Sequence, residues 1–255
     1  MSRTLITVSS LAMRYPTGRM ALTEASLSLR AGELVVILGA NGCGKSTLLR
    51  CCAGMLKPTA GQIKVADQPI TQLTGRPLAE ARMALGMVFQ HAHLVKRRSV
   101  LANVMAGTLG RHRTLATSLG FLPQSERAFA LSCLAEVGLE NFAAQRAGTL
   151  SGGQAQRVSV ARALAQRPLA LLADEPVASL DPEASEELMT LLRRVAHEDG
   201  LGVLCVLHQP DLARRYADRI LGLKDGRVQF DTKPAEVQET QVSALYTKTP
   251  EAATA

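Results

Sequence analysis

The fold of this 255-residue chain is decided by the stretch Gly39-Ala40-Asn41-Gly42-Cys43-Gly44-Lys45-Ser46-Thr47. Directly before it runs Leu34-Val35-Val36-Ile37-Leu38, an apolar segment rich in β-branched residues that predicts a buried parallel strand. Directly after it, Leu48-Leu49-Arg50-Cys51-Cys52-Ala53 predicts a packed helix closed by Gly54. A strand, a glycine-rich loop with Lys-Ser, and a helix form the context of a phosphate-binding P-loop, which we favour over a chance glycine-rich turn.

The residue types in this loop suit ATP with Mg²⁺. Glycines let the backbone approach phosphate oxygens closely, and N–H groups at the helix N-terminus supply partial positive charge. Lys45 can reach the β- and γ-phosphates, and the Ser46 hydroxyl is a candidate Mg²⁺ ligand. For Cys43, the nearby N–H groups and Lys45 predict a lowered thiol pKa. The loop residues that we assign to ATP binding are Gly39, Asn41, Gly42, Cys43, Gly44, Lys45, Ser46 and Thr47.

The composition narrows the range of partners. A net charge of +7 permits a nucleic acid, a membrane surface or simply a basic solvated face. Aromatic residues make up only 3% and there is no Trp, so stacking platforms for single-stranded nucleic acid are scarce. We therefore expect no nucleic-acid partner, and we interpret the basic clusters Lys96-Arg97-Arg98 and Arg111-His112-Arg113 as a solvated face or one near anionic lipid.

The lack of a recognisable targeting signal and the pattern of cysteines predict a soluble cytoplasmic protein. No uncharged apolar run approaches the ~18 residues that a membrane-spanning helix needs. The start, Met1-Ser2-Arg3-Thr4, lacks the basic segment and apolar stretch of a secretory signal. Five cysteines without paired CxxC spacing predict reduced thiols rather than disulfides or a zinc site.

The order of apolar segments predicts an α/β fold. Residues 4–8 and 25–29 read as strands, the second with the alternation of a half-solvated antiparallel strand. Between residues 91 and about 155, Leu and Ala recur at helical spacing, which predicts an inserted helical subdomain. We predict one domain over residues 1–240 and a disordered tail over 241–255. The further buried strands are expected at 85–89, 169–173, 201–207 and 220–223.

Polar residues follow several of these buried strands. In an open parallel α/β sheet, ligands bind outside the carboxyl ends of the strands, where Gln90, Asp174-Glu175 and His208 fall. Asp174 suits Mg²⁺ and Glu175 suits polarisation of an attacking water. Gln90 and His208 are weaker candidates, since a lone His at a strand end is more often structural. Tyr15, near a predicted turn, could pack at a sheet edge or lie against an adenine ring.

From about residue 4 to 235 the sequence resembles the ATP-binding subunit of ABC transporters. Leu150-Ser151-Gly152-Gly153-Gln154 matches the family signature between a P-loop and a Walker B strand. The resemblance implies that Tyr15 stacks on adenine, that Gln90 belongs to the Q-loop with contacts to ATP and Mg²⁺, that Asp181 lies in the D-loop and that His208 acts with Glu175 in catalysis. It also implies a P-loop NTPase fold of a parallel nucleotide-binding core, an antiparallel β layer and an inserted α-helical subdomain.

The signature Ser151-Gly152-Gly153-Gln154 is a second candidate site for phosphate, because it begins a helix with exposed N–H groups. One chain has only one P-loop and one signature. The resemblance implies that ATP lies between the P-loop of one subunit and the signature of another, in a head-to-tail dimer. Hydrolysis would then remove the γ-phosphate link and release the halves.

The segment Phe89–Val104 is similar to the corresponding segment of phosphonate importer ATPases. His91-Ala92-His93 and Ala102 depart from the usual pattern, which leaves phosphite, phosphate or another oxyanion as alternatives. The resemblance implies transmembrane permease subunits, a separate solute-binding protein, and a peripheral location on the cytoplasmic face of the inner membrane. Two rivals are a soluble non-transport ABC protein, which usually carries two cassettes or a long coiled coil, and an exporter ATPase.

Overall fold

The computed structural model describes residues 3–112 and 123–247 of the chain. Within them the strands are β1 (Thr4–Arg14), β2 (Met20–Arg30), β3 (Leu34–Leu38), β4 (Ala60–Val65), β5 (Gln68–Pro69), β6 (Leu85–Val88), β7 (Ala170–Asp174), β8 (Gly202–Val206), β9 (Arg219–Lys224) and β10 (Arg227–Thr232). The α-helices are α1 (Lys45–Cys52), α2 (Gly75–Ala81), α3 (Val100–Met105), α4 (Gln124–Glu136), α5 (Gly152–Leu164), α6 (Pro182–His197), α7 (Pro210–Tyr216) and α8 (Glu239–Tyr246).

A six-stranded sheet with the order β10-β9-β3-β8-β7-β6 forms the centre of the fold. Strands β6, β7, β8, β3 and β9 pair in parallel, and β10 pairs antiparallel with β9. Every residue of β3, β7 and β8 is buried, as expected of parallel strands covered on both faces. The predicted parallel core is confirmed, and it brings the carboxyl ends of β3, β6, β7 and β8 to one edge.

A second sheet, ordered β2-β1-β4-β5, forms the antiparallel layer. Its strands β1 and β2 have 11 residues each, longer than the segments 4–8 and 25–29 that the sequence indicated. The β1–β2 register shifts between Val8 and Leu11, and Ser10 has a φ of +45°. This bulge interrupts the period of two, which is why the pattern alone ended the first strand too early.

Helices α3, α4 and α5 pack on one another in the region where the sequence predicts a helical subdomain. Their buried residues, among them Val104, Ala130, Leu134 and Val158, belong to the same apolar core as strand β7. Helix α5 continues to Leu164, beyond the predicted boundary near 155, so it links the helical region directly to the parallel sheet. The residues 113–122 of this region lie outside the described part of the chain.

The prediction of a disordered tail from residue 241 is wrong at its start. Helix α8 covers Glu239–Tyr246, with Val242 and Leu245 buried. A capping box between Gln238 and Gln241 begins the helix. The two apolar residues lie three apart, which is enough to bury one face of a short helix against β9, but too few to stand out in the sequence. Residues 248–255 lie outside the described chain.

Among the described residues, no helix combines the length and the apolar character that crossing a bilayer requires.

Candidate active site

The P-loop joins β3 to α1 and depends on glycine at two close approaches. A Cβ on Gly39 would lie 2.2 Å from the carbonyl oxygen of Leu223, and one on Gly44 would lie 2.3 Å from that of Ala21. Gly44 also has a φ of +112°, a conformation that side chains disfavour. The loop therefore packs tightly between β2 and β9.

Lys45 lies at the first position of α1 and is 4% exposed. Its Nζ donates to the carbonyl oxygens of Gly39, at 2.7 Å, and Ala40, at 3.0 Å. Burial lowers the pKa of Lys45, while the nearby Cys43, Glu175 and Asp174 oppose the shift. The ammonium group is thus kept inside the loop by neutral acceptors, which phosphate oxygens can replace.

Ser46, in the first turn of α1, and Asp174, the last residue of β7, form a hydrogen-bonded pair. The Ser46 hydroxyl donates to Oδ1 of Asp174 at 2.8 Å, and Arg50 lies 3.9 Å from Oδ2. Burial raises the pKa of Asp174, and the Ser46 hydroxyl and Arg50 oppose the rise. A hydroxyl and one carboxylate are hard oxygen donors that suit Mg²⁺, which usually binds one or two carboxylates plus substrate phosphates. The described residues contain no cluster of three or more His, Cys, Asp or Glu for a metal.

Glu175 and His208 meet beyond the ends of β7 and β8. The Nε2 atom of His208 lies 2.6 Å from Oε1 of Glu175. Glu175 has a φ of +50°, an uncommon conformation for a residue with a side chain, and such strain is frequent at functional sites. The contact orients the carboxylate, which lies near Lys45 and Asp174.

A cleft of about 240 Å³ opens over the P-loop. The Tyr15 hydroxyl lies 3.1 Å from Oγ1 of Thr47, so the aromatic ring stands at the rim of the loop. Arg19 donates from Nη2 to the Gly42 carbonyl oxygen at 2.8 Å, and the sequence reasoning missed it. In the sequence, Arg19 could have been noticed only as a positively charged residue four positions after Tyr15. The cleft is lined by Tyr15, Arg19, Ala21, Asn41, Gly42, Gly44, Lys45, Ser46, Thr47 and Glu175.

The signature residues lie at the N-terminus of α5, outside this cleft. Ser151 accepts a hydrogen bond from the Gln154 N–H at 3.2 Å, and Gln154 accepts one from the Ser151 N–H at 3.0 Å. This capping box presents Ser151 and Gly152 as exposed residues, whereas a Cβ on Gly153 would lie 2.9 Å from Cβ of Ala184. The signature and the P-loop of one chain therefore do not line one cleft.

Two further assigned residues also lie apart from the cleft lining. Asp181 caps α6, where its Oδ1 accepts from the Ala184 N–H at 2.8 Å. Gln90 follows β6 and is exposed. Because Val88 pairs with Ala173, Gln90 lies at the same sheet edge as Asp174, although it is not among the residues that line the cleft.

The predicted low pKa of Cys43 is wrong. Its side chain is buried, and burial raises the thiol pKa more than Lys45 and the neighbouring N–H groups lower it; Asp225 adds to the rise. The sequence showed the positive neighbours but not the desolvation, which disfavours the thiolate.

A glycine loop at a strand–helix junction, with an acidic pair at the end of a parallel strand nearby, defines a P-loop nucleotide-binding protein. The pattern of one family, ABC transporter, matches residues 22–178. The chain belongs to the ABC transporter family.

Three known proteins show how far this similarity extends. The phosphonates import ATP-binding protein PhnC 2 of Halalkalibacterium halodurans is 44% identical over 242 residues, which cover 95% of this chain and 99% of that protein. The phosphite import ATP-binding protein PxtA of Stutzerimonas stutzeri is 46% identical over 243 residues, covering 95% and 87%. The dimeric, post-hydrolysis structure of the ATP-binding cassette MJ0796 with ADP and Pi superposes with a TM-score of 0.79 at 34% identity, covering 90% and 99%. The resemblance to phosphonate importer ATPases is confirmed.

Proposed function

We propose that this chain is the ATP-hydrolysing subunit of an importer that takes up phosphonate or a related phosphorus oxyanion through a membrane permease. The single observation that carries the hydrolytic role is the 2.6 Å contact of His208 with Glu175 beside the P-loop cleft. The names of relatives, phosphonates import and phosphite import ATP-binding proteins, support the class of solute.

ATP binding would use residues that already surround the cleft. Tyr15 offers a ring for the adenine, and the loop N–H groups face the phosphates. Lys45 exchanges its two carbonyl acceptors for phosphate oxygens, which gain more from a buried cation than neutral carbonyls do. Mg²⁺ would bind at Ser46 and Asp174, with Gln90 as a third proposed contact, and would neutralise charge on the β- and γ-phosphates.

Hydrolysis would depend on Glu175. Its carboxylate accepts a proton from, or orients, the water that attacks the γ-phosphate. His208 keeps the carboxylate in one rotamer through their hydrogen bond, which lowers the entropy cost of reaching the reactive geometry. Both residues follow neighbouring parallel strands, so the sheet itself sets their separation.

The position of the signature supports a dimer as the working form. Ser151, Gly152, Gly153, Gln154 and Asp181 are not in the cleft lining of their own chain. Ser151 and Gly152 are exposed at a helix N-terminus, where they are free to contact the γ-phosphate bound to a second copy. We propose a head-to-tail dimer with two shared sites, and the dimeric state of the MJ0796 structure supports the formation of a dimer.

The permease would dock beside the Q-loop. A groove of about 490 Å³ lies there, with an apolar floor that includes Met55, Met83, Met87 and Phe89. His93, in the segment from Gln90 to Asn103, lines the groove, and Val95 in the same segment is 60% exposed. A permease loop with an apolar helical turn would fill the groove. On the other side of the membrane, a solute-binding protein would deliver the oxyanion to the permease.

Uptake measurements test the proposal and separate the solutes. Cells that depend on this chain should accumulate labelled methylphosphonate or phosphite, and cells with the Lys45→Ala variant should not. Uptake of phosphate alone would move the assignment to a different oxyanion. If the wild-type chain supports uptake of none of the three, the importer assignment is wrong.

A further inference from the structure

The C-terminal helix α8 is attached close to the active site. Val242 and Leu245 bury its apolar face, and Leu245 joins the core of the parallel sheet. Lys224, at the end of β9, donates from Nζ to the Ala244 carbonyl oxygen at 2.8 Å. Arg214 of α7 pairs with Glu239 at the other end of α8. Both ends of the helix are therefore fixed to elements that flank the P-loop and His208.

Tyr246, the last residue of α8, reaches the active site itself. Its hydroxyl donates to the backbone carbonyl oxygen of His208 at 3.3 Å. Tyr246 is 39% exposed, and the partial burial of its ring raises the pKa of the phenol, whereas the nearby Gly39 backbone opposes the rise. The hydroxyl thus lies close to the first glycine of the P-loop and forms a bridge from α8 to the backbone of the residue that contacts Glu175.

This bridge matters because the backbone around His208 has few other fixed points. Strand β8 ends at Val206 and α7 begins at Pro210. The Leu207 N–H donates to the Ile37 carbonyl oxygen at 3.1 Å, and the imidazole contacts Glu175. The Tyr246 hydroxyl adds a bond on the far side of His208, so it limits how the backbone, and with it the imidazole, can rotate.

We propose that Tyr246 is a positioning residue for hydrolysis: its hydroxyl fixes the His208 backbone relative to the P-loop, so that the imidazole stays on Glu175. The inference rests on the proposed role of His208 and Glu175. It assigns to the C-terminal helix a part in the turnover of ATP, in addition to its packing against β9.

The test is Tyr246→Phe, which removes one oxygen and keeps the ring. The matched control is Tyr216→Phe, because Tyr216 is likewise the last residue of a short helix, α7, but its hydroxyl contacts Glu186 and Thr190 of α6. Steady-state ATPase assays give kcat and KM for ATP, and thermal unfolding reports on stability. Loss of one positioning hydrogen bond should lower kcat about three- to tenfold with KM changed by less than about twofold. The control should keep the wild-type kcat.

Several results would overturn the inference. An unchanged kcat in Tyr246→Phe, a rise in KM alone, or an equal fall of kcat in both Phe variants would each show that the hydroxyl only stabilises the fold. His208→Ala separates this failure from that of the proposed function. If His208→Ala loses hydrolysis while Tyr246→Phe does not, only the role of Tyr246 is wrong. If His208→Ala hydrolyses ATP normally, the proposed role of His208 is wrong as well.

Discussion

At the scale of single residues, the site depends on a buried cation whose present partners are replaceable. Lys45 is 4% exposed, and hydrogen bonds to two loop carbonyls fix the position of its ammonium group. Burial makes the charge on Lys45 costly, and Asp174 and Glu175 offset only part of this cost, so phosphate oxygens would stabilise the ammonium group further. Because it is buried, Lys45 would interact more strongly with the phosphates of ATP than an exposed lysine would.

We expect Lys45→Ala to abolish ATPase activity and most of the nucleotide affinity. Removing a positioned charge from a developing phosphoryl transition state typically costs at least ~10²-fold in rate. Phosphate-release assays and calorimetric titration with ATP measure the two effects. Lys57→Ala is the matched control, because Lys57 is exposed in the turn after α1. Near-normal hydrolysis by Lys45→Ala would remove the P-loop from the mechanism.

The thiol of Cys43 should react slowly with maleimide at neutral pH. Burial raises its pKa, so the reactive thiolate is scarcer than in a free cysteine, and labelling should speed up as the pH rises toward that pKa. Mass spectrometry of the labelled protein, with Cys43→Ala and a guanidinium-unfolded sample as controls, measures it. All five cysteines are buried, so the unfolded sample should label at every one. Rapid labelling of the folded protein at pH 7 would contradict the burial.

Among helices and strands, the sequence predicted best those whose hydrophobic pattern directly reflects their burial. The strands β3, β7 and β8 are apolar throughout because both of their faces are covered, and the sequence predicted all three. The residues that follow them, Glu175 and His208, were consequently placed at the right edge. Elements with weak patterns were missed. Strand β10 alternates in burial at the sheet edge, and α8 has a two-residue apolar face.

Contacts between segments that are distant in the chain could not be predicted from the sequence. Arg19 contacts the P-loop from the connection between β1 and β2, and Tyr246 contacts His208 from α8, and no local spacing connects either residue with its partner. The pKa of Cys43 was misjudged for the same reason, since desolvation comes from residues far away in the chain. Motifs therefore predict the chemistry, whereas tertiary packing decides how that chemistry is tuned.

An ion cluster connects α4 with the 3₁₀ segment Ala106–Arg111. Glu126, 5% exposed, contacts Arg111 at 2.6 Å, His112 at 3.0 Å and Arg167 at 3.9 Å. Burial alone would raise the pKa of Glu126, but His112, Arg111 and Arg167 together hold it below its usual value. A lowered carboxyl pKa stabilises the fold above the ordinary pKa, and this stability is lost as the pH falls through the lowered value.

We expect Glu126→Gln to destabilise the protein by about 1–3 kcal/mol near pH 7, because it removes the buried carboxylate that Arg111 contacts at 2.6 Å. The gap between variant and wild type should close as the pH falls and the wild-type carboxyl becomes protonated. Urea unfolding at several pH values measures the gap, with the exposed Glu140→Gln as control. A destabilisation that stays constant down to acid pH would show that packing, not charge, is what Glu126 provides.

At the scale of the whole molecule, two surfaces determine what this subunit does in an assembly. The groove beside the Q-loop would receive the permease, and the exposed signature would receive a second copy. Neither surface is part of the P-loop cleft of its own chain, so bound ATP would act on the permease through the sheet edge and on the second copy through direct contact with its signature. Occupancy of the cleft by ATP would thus be converted into association of subunits.

Crosslinking tests the permease surface. A cysteine at Val95, which is 60% exposed, is better placed than one at Leu94 or at Ser99, because Ser99 caps α3. In membranes containing the complete transporter, Val95→Cys should crosslink to a permease loop. Gln229→Cys, on the exposed face of edge strand β10, should not. Crosslinks from position 229 alone would place the permease on the opposite side of the subunit.

The proposed mechanism depends on Glu175 as the catalytic carboxylate and on an ATP site shared between two copies. Glu175→Gln keeps the size of the side chain but removes its charge, and loss of a positioned base typically slows reaction ~10²–10⁴-fold. ATP should still bind to the P-loop of one copy and to Ser151-Gly152-Gly153 of the other, and without cleavage the closed dimer should accumulate.

Light scattering of the Glu175→Gln variant with Mg²⁺ is the most direct measurement, made with ATP, with ADP and without nucleotide. The account predicts a dimer of the variant with ATP and monomers in the other two samples, while wild type returns to monomer as ATP is consumed. A variant that binds ATP tightly with Mg²⁺ and remains monomeric would contradict the shared site. Hydrolysis at the wild-type rate would instead show that Glu175 is not the catalytic carboxylate.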